Sequence, residues 1–153
     1  IQHIGDAIRY SNTEYYEPVF DRERPILSTA DMPIWYTSKE CEVARKSHIN
    51  LVVLDSTWES TEAFHLDHNP EVDAWVKNDH LNFEILYIYN GTIKKYRPDY
   101  IVRMKTGEMG IIETKGKETE QDRVKKRFLQ EWIEAVNQHG GFGKWVLLNS
   151  RFR

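Results

Sequence analysis

The sequence predicts an α/β domain in which one mixed sheet is flanked by helices. Three observations lead there. Between Phe83 and Lys115, β-rich runs alternate with the tight-turn dipeptides Asn90-Gly91 and Thr106-Gly107. From Glu120 to Gln138 the apolar residues Val124, Phe128, Trp132, Ala135 and Val136 recur at helical spacing. Earlier, Ser56 with Glu59 three residues on has the form of a capping box that opens a helix. In chain order these give helix, three strands, helix, strand.

Residues 1–50 show little periodicity, and residues 1–45 are read as an arm or linker. Tyr10, Tyr15, Tyr16, Phe20, Trp35 and Tyr36 are scattered among charges and prolines, which suggests an extended arm or linker with short strands, packing aromatics onto the body that begins near residue 46. The run Asn50–Leu54 (NLVVL) is a short buried strand by its apolar character. The first helix then runs from the Ser56 cap to Asn69-Pro70, where proline restricts the preceding residue and stops it. Val72–Asn78 alternates only loosely and is compatible with a strand. Phe83–Tyr89, Lys94–Met104 and MGIIETK (Met109–Lys115) are expected to form an antiparallel meander. The second helix carries Leu129 and Ile133 beside its main stripe and is stopped by Gly140 and Gly141. Lys144–Asn149 is the last strand.

A chain of 153 residues is about the size of one domain with a single core. Its 40% apolar and 29% charged residues are ordinary for a globular protein. The net charge of −3 argues against a uniformly basic nucleic-acid binder, but the charge is unevenly spread. From Lys115 onward there are nine Lys/Arg against five Asp/Glu, as in a protein with one basic face; a solvated helix face accounts for the same residues. Cys41 stands alone, so it forms no internal disulfide and offers no cysteine-based zinc pattern, which suits a reducing cytoplasm. No stretch resembles a secretion signal and no apolar run approaches the length of a membrane span. The first residue is Ile1 rather than Met, as expected of a piece of a longer protein or a processed product.

The chemistry concentrates in PDYIVRMKTGEMGIIETKG (Pro98–Gly116). Side chains alternate faces along a strand, so Glu113 and Lys115 point the same way. The Thr106-Gly107 turn folds the neighbouring strand back and brings Asp99 near Glu113. Two carboxylates so placed repel unless a cation lies between them. Oxygen ligands with room for water suit Mg²⁺, with Mn²⁺ as substitute, and such an ion promotes attack of water on a phosphodiester. Lys115 is placed to orient that water or to steady the charge that develops. The same residues also describe a hairpin with an exposed Glu–Lys pair.

Within this order of elements, RPD…ETK resembles the PD-(D/E)xK nuclease superfamily. The stretches SHINLVVLDSTWE, VKNDHLNFEILYIYNG, YRPDYIVRM, IIETKG and WIEAVNQHGGFGKW resemble more narrowly the C-terminal endonuclease domain of type III restriction enzymes and their helicase-linked relatives, over roughly residues 46–149. The resemblance implies a restriction-endonuclease-like αβββαβ core within residues 46–153. It implies Asp99 and Glu113 as metal-binding carboxylates, the Thr114 backbone carbonyl as a further ligand, and Lys115 as the catalytic lysine. It implies an active-site glutamate on the first helix, Glu59, with Glu62 one turn on as the fallback. The function implied is a Mg²⁺-dependent DNA endonuclease acting on double-stranded DNA, with an N-terminal helicase/ATPase motor on the parent polypeptide and a separate modification (methyltransferase) subunit. The chain itself has no phosphate-loop motif, hence no ATP site.

Lys117, Lys125, Lys126 and Arg127 follow the Glu-x-Lys and are candidates to hold DNA phosphates. His65 and His68, three apart, offer half a metal site with no third partner in view. Two rival readings stand beside the nuclease: a catalytically inactive module of the same fold that binds DNA or braces the motor, and a nuclease of repair or branched DNA.

Overall fold

The computed structural model describes residues 28–114 and 118–150. Its centre is a four-stranded mixed sheet built from β3 (Val72–Lys77), β6 (Tyr100–Met104), β7 (Met109–Ile112) and β8 (Trp145–Leu147), in that spatial order. The first three are antiparallel and β8 runs parallel to β7. Helix α1 (Thr57–His68) precedes β3, and helix α2 (Glu120–His139) makes the crossover from β7 to β8. No helix among the described residues is long and apolar enough to cross a membrane.

Alternation along the strands sends side chains to cores on both faces of the sheet. Tyr100, Val102, Met104 and Ile112 join Val72, Trp75, Ala63 and Leu66 on the α1 side. Ile111 joins Leu129 and Ile133 of α2 on the other. Gly110 of β7 is required by a close approach: a Cβ there would stand 2.2 Å from Cδ1 of Leu148.

The expected meander is corrected in its membership. Lys94–Met104 is not one strand. It breaks at Arg97-Pro98-Asp99 into β5 (Thr92–Tyr96) and β6. Proline lacks the amide that would continue the ladder. Ile85–Tyr89 (β4) and β5 form a separate two-stranded ribbon around Asn90 and Gly91, both with positive φ, as a tight hairpin turn demands. The first strand of the sheet is instead β3, whose alternation is blurred because four consecutive residues, Ala74–Lys77, are buried. The chain thus makes β3, an excursion through β4 and β5, and then β6 and β7. Asn78 closes the neck of the excursion: its side-chain amide donates to the carbonyls of Phe83 at 2.8 Å and Pro98 at 2.9 Å.

Both helices begin as the sequence indicates. Ser56 caps α1 and accepts from the Glu59 amide at 3.2 Å, but the Glu59 carboxylate turns to the Asp55 amide and not to the cap residue. Thr119 and Asp122 form a reciprocal capping box on α2, and Gly140 at φ 73° ends it. Of the residues expected in the α2 stripe, Leu129, Ile133 and Val136 are buried; Phe128 and Trp132 are half-buried, with Trp132 edge-on to Phe83 and Trp145. Of the expected arm, residues 28–45 hold a short 3-10 turn (Thr29–Asp31) and β1 (Cys41–Val43), which pairs antiparallel with β2 (Leu51–Val53). Trp35 stacks on His80, whereas Tyr36 is exposed. Tyr10, Tyr15, Tyr16 and Phe20 lie outside the described residues.

Candidate active site

The register of β6 and β7 pairs Tyr100 with Ile112, so the next facing pair outward is Asp99 and Glu113. Facing residues of antiparallel strands have Cα atoms about 5 Å apart and side chains on one side of the sheet. Both residues lie just beyond the regular strands, Asp99 before β6 and Glu113 after β7. The sheet therefore delivers two carboxylates to its edge, where the chain leaves the ladder.

Each is held from a different direction. Asp99 Oδ2 accepts from the Thr114 amide at 2.6 Å and the Thr114 hydroxyl at 2.7 Å. Glu113 Oε2 accepts from the Tyr96 hydroxyl at 2.6 Å. Tyr96 ends β5 and is 4% exposed, so the ribbon reaches into the site through this one phenol. Burial, then the charges of Glu113 and Asp99, push its ionisation far above the ordinary tyrosine range, so it is a hydrogen-bond donor at every physiological pH. Tyr100 is raised in the same way, by burial first and then by Glu59 and Asp99; its hydroxyl donates to the Glu59 carbonyl at 3.2 Å.

Glu113 also borders an open cavity of about 180 Å³. Tyr96, Glu118, Asp122, Lys125 and Lys126 line it as well. Lys125 lies 3.4 Å from Asp122 and 5.7 Å from the centre of the Tyr96 ring. Among the basic candidates on α2, the fold brings Lys125 and Lys126 to Glu113. Arg127 pairs instead with Glu131 at 3.6 Å and lies against the Phe128 ring. Lys115 and Lys117 lie outside the described residues.

Glu59 has a different environment. Its Oε2 lies 3.0 Å from Nζ of Lys77, which is 4% exposed. The same ammonium donates to the Val53 carbonyl at 2.8 Å and to Asp55 at 3.1 Å, with Asp79 at 3.4 Å. Burial acts to lower the Lys77 pKa, but the bonds to Glu59 and Asp55 outweigh it and the net shift is upward. Lys77 is therefore a fixed positive charge, and Glu59 is neutralised by protein. Glu62 is buried on the α1 side. His68 bonds the Phe64 carbonyl through its ring nitrogen and stacks on the Phe64 ring.

Sequence reasoning missed Tyr96 and Lys77. A basic residue ending the apolar run AWVK was a signal for Lys77; Tyr96, three residues before Asp99, carried none.

Among the described residues, no group of three or more His, Cys, Asp or Glu side chains is arranged to hold a metal ion. The donor set at hand is the Asp99–Glu113 pair. Mg²⁺ is commonly held by one or two carboxylates, with water and substrate phosphate completing the shell, so the chemistry of this pair fits such an ion. Compared with protein-family models, curated proteins and solved structures, the chain matches none.

Proposed function

We propose that this chain is a Mg²⁺-dependent endodeoxyribonuclease domain with a restriction-endonuclease-like αβββαβ core, the nuclease part of a type III restriction enzyme or helicase-linked relative. The observation that carries the reading is the β6–β7 register, which pairs Tyr100 with Ile112 and so brings Asp99 and Glu113, one residue further out, to the same end of the sheet. The element order supports it: a helix, three antiparallel sheet strands, a crossover helix and a strand parallel to the third, with the β4–β5 ribbon inserted.

In this reading Asp99 and Glu113 hold the cation, with the Thr114 carbonyl beside them. A cation held there would supply polarisation of a phosphate oxygen and a lowered pKa for its bound water. Thr114 and Tyr96 fix the two carboxylates so that little reorganisation is needed when substrate arrives. Lys115, two residues after Glu113 in the sequence, steadies charge on the phosphoryl group or takes the water's proton. Lys125 and Lys126 hold flanking phosphates across the cavity, with Lys117 and Arg127 as further contacts. Glu59, paired with the buried Lys77, acts as a structural anchor of the N-terminal end of α1. The partners are double-stranded DNA, a motor on the parent polypeptide and a modification subunit, in the cytoplasm.

The test is cleavage of plasmid DNA together with Mn²⁺ binding measured by electron paramagnetic resonance. The wild-type chain is expected to bind Mn²⁺ and nick plasmid slowly; Asp99→Asn and Glu113→Gln are expected to lose both while remaining folded. Equal Mn²⁺ binding by wild type and both variants would remove the metal site, and the nuclease reading with it.

A further inference from the structure

The β4–β5 ribbon has one face too many. Its inner face, Ile85, Tyr87 and Tyr96, is buried on α2 and Ile111. Its outer face is also apolar: Ile88 faces Ile93, and Leu86 faces Lys95. Leu86, Ile88 and Ile93 are 59%, 54% and 69% exposed. A strand apolar on both faces belongs to a sheet covered on both sides, yet the fold covers one. Three large aliphatic side chains side by side on an exposed ribbon point to a contact surface.

The rim of this face identifies the occupant. Lys95 and Arg97, 52% and 58% exposed, share the single carboxylate of Glu84. This face and its rim thus carry two cations and one anion, within a chain of net charge −3. A polyanion is favoured over an acid-neutral protein surface. A two-stranded antiparallel ribbon has the width to enter a DNA groove, where aliphatic side chains meet thymine methyls and sugar edges while the rim cations meet phosphates. The placement agrees: Arg97 is two residues from Asp99, at most about 7 Å along the chain, and its neighbour Tyr96, on the inner face, bonds Glu113.

Resting on the nuclease reading, we propose that the outer face of the β4–β5 ribbon is the duplex-DNA contact surface, with Leu86, Ile88 and Ile93 against the groove and Lys95 and Arg97 on the phosphates.

The experiment is fluorescence anisotropy of a labelled 20-base-pair duplex with the 153-residue chain, in Ca²⁺ to hold back cleavage, over a salt series. The Lys95→Gln/Arg97→Gln double variant is expected to weaken binding about tenfold or more and to reduce the salt slope by about two. Ile88→Ser/Ile93→Ser is expected to weaken it several-fold with the salt slope unchanged. In the wild-type chain, duplex is expected to protect Lys95 from amine acetylation, a readout that needs no variant. If wild type binds and nicks DNA but both double variants bind within twofold of it and Lys95 stays unprotected, the ribbon proposal fails and the nuclease reading stands. If Ile88→Ser/Ile93→Ser instead converts a wild-type dimer to monomer with DNA affinity intact, the occupant is a second copy and the proposal is overturned. If wild type binds no duplex, the nuclease reading fails and the proposal with it.

Discussion

The Tyr96 hydroxyl donates to Glu113 Oε2 at 2.6 Å, joining an inserted ribbon to the end of the central sheet. Tyr96→Phe removes that proton and leaves the aromatic packing. A hydrogen bond to a charged acceptor contributes about 1.5–3 kcal/mol, so urea unfolding is expected to show a loss near the low end of that range. Mn²⁺ binding is expected to weaken several-fold, because Glu113 loses its orientation, while duplex affinity stays within twofold. Unchanged Mn²⁺ affinity would mean that the phenol serves packing alone.

Lys77 is the electrostatic centre of the α1 side, bound by Val53, Asp55, Glu59 and Asp79. Lys77→Met keeps the length and removes the charge, leaving three carboxylates facing one another. Breaking a buried ion pair costs about 3–5 kcal/mol. Because Asp55 and Asp79 are partly solvated, about 2–3 kcal/mol is expected for Lys77→Met in denaturant unfolding. The raised Lys77 pKa adds a pH signature. Its contribution is complete below the unfolded value of 10.5 and is lost as pH rises through the higher folded value. The wild-type melting temperature should therefore fall more steeply above pH 10.5 than that of Lys77→Met.

Asp67 governs the acid limb. Burial alone raises its pKa, but the amides of Lys46 and Arg45 and the Trp75 indole, which donates at 3.1 Å, bring the net shift below 3.8. A lowered carboxylate contributes stability that is present above the unfolded pKa and lost as pH falls through the folded one. The melting temperature is expected to drop below about pH 4, where Asp55 and Glu84, also lowered, lose their ion pairs. Asp67→Asn is expected to be less stable at pH 7 and to show a shallower acid limb. A parallel drop in both proteins would assign the acid limb elsewhere.

Gly110→Ala is expected to destabilise by about 1–3 kcal/mol, the usual cost of overpacking, because the new methyl meets Cδ1 and Cγ of Leu148 at 2.2 and 2.7 Å. Gly110→Ala with Leu148→Ala should recover part of that loss relative to the sum of the two single changes. Strict additivity would show that the two positions do not touch.

Local signals were legible and pairing was not. Asn90-Gly91 announced its turn because both residues must take positive φ. The second helix was legible because twenty residues keep one period between a Thr119 cap and a Gly140 stop. VDAWVK hid its place as the first sheet strand because burial on both faces removes alternation. KKYRPDYIVRM looked continuous because only Pro98 marks the break. Nothing in a β-rich run states which partner it will take. That Asp99 and Glu113 fall at the same end of two adjoining strands was legible from spacing plus one turn. Tyr96 and Lys77 were not, because their partners arrive from distant elements.

Asn78 has a consequence for how the molecule tolerates change. Its side chain joins Phe83 and Pro98, and its backbone amide donates to the Asp99 carbonyl at 2.9 Å. The two ends of the excursion are thereby stitched together at the sheet, whatever lies between them. Lengthening a loop whose ends are already pinned costs little, since closure entropy grows only with the logarithm of length. The segment between residues 84 and 97 is thus a cassette: another hairpin can replace it, provided that it keeps a phenol where Tyr96 stands and the apolar face, Ile85 and Tyr87, that packs on α2.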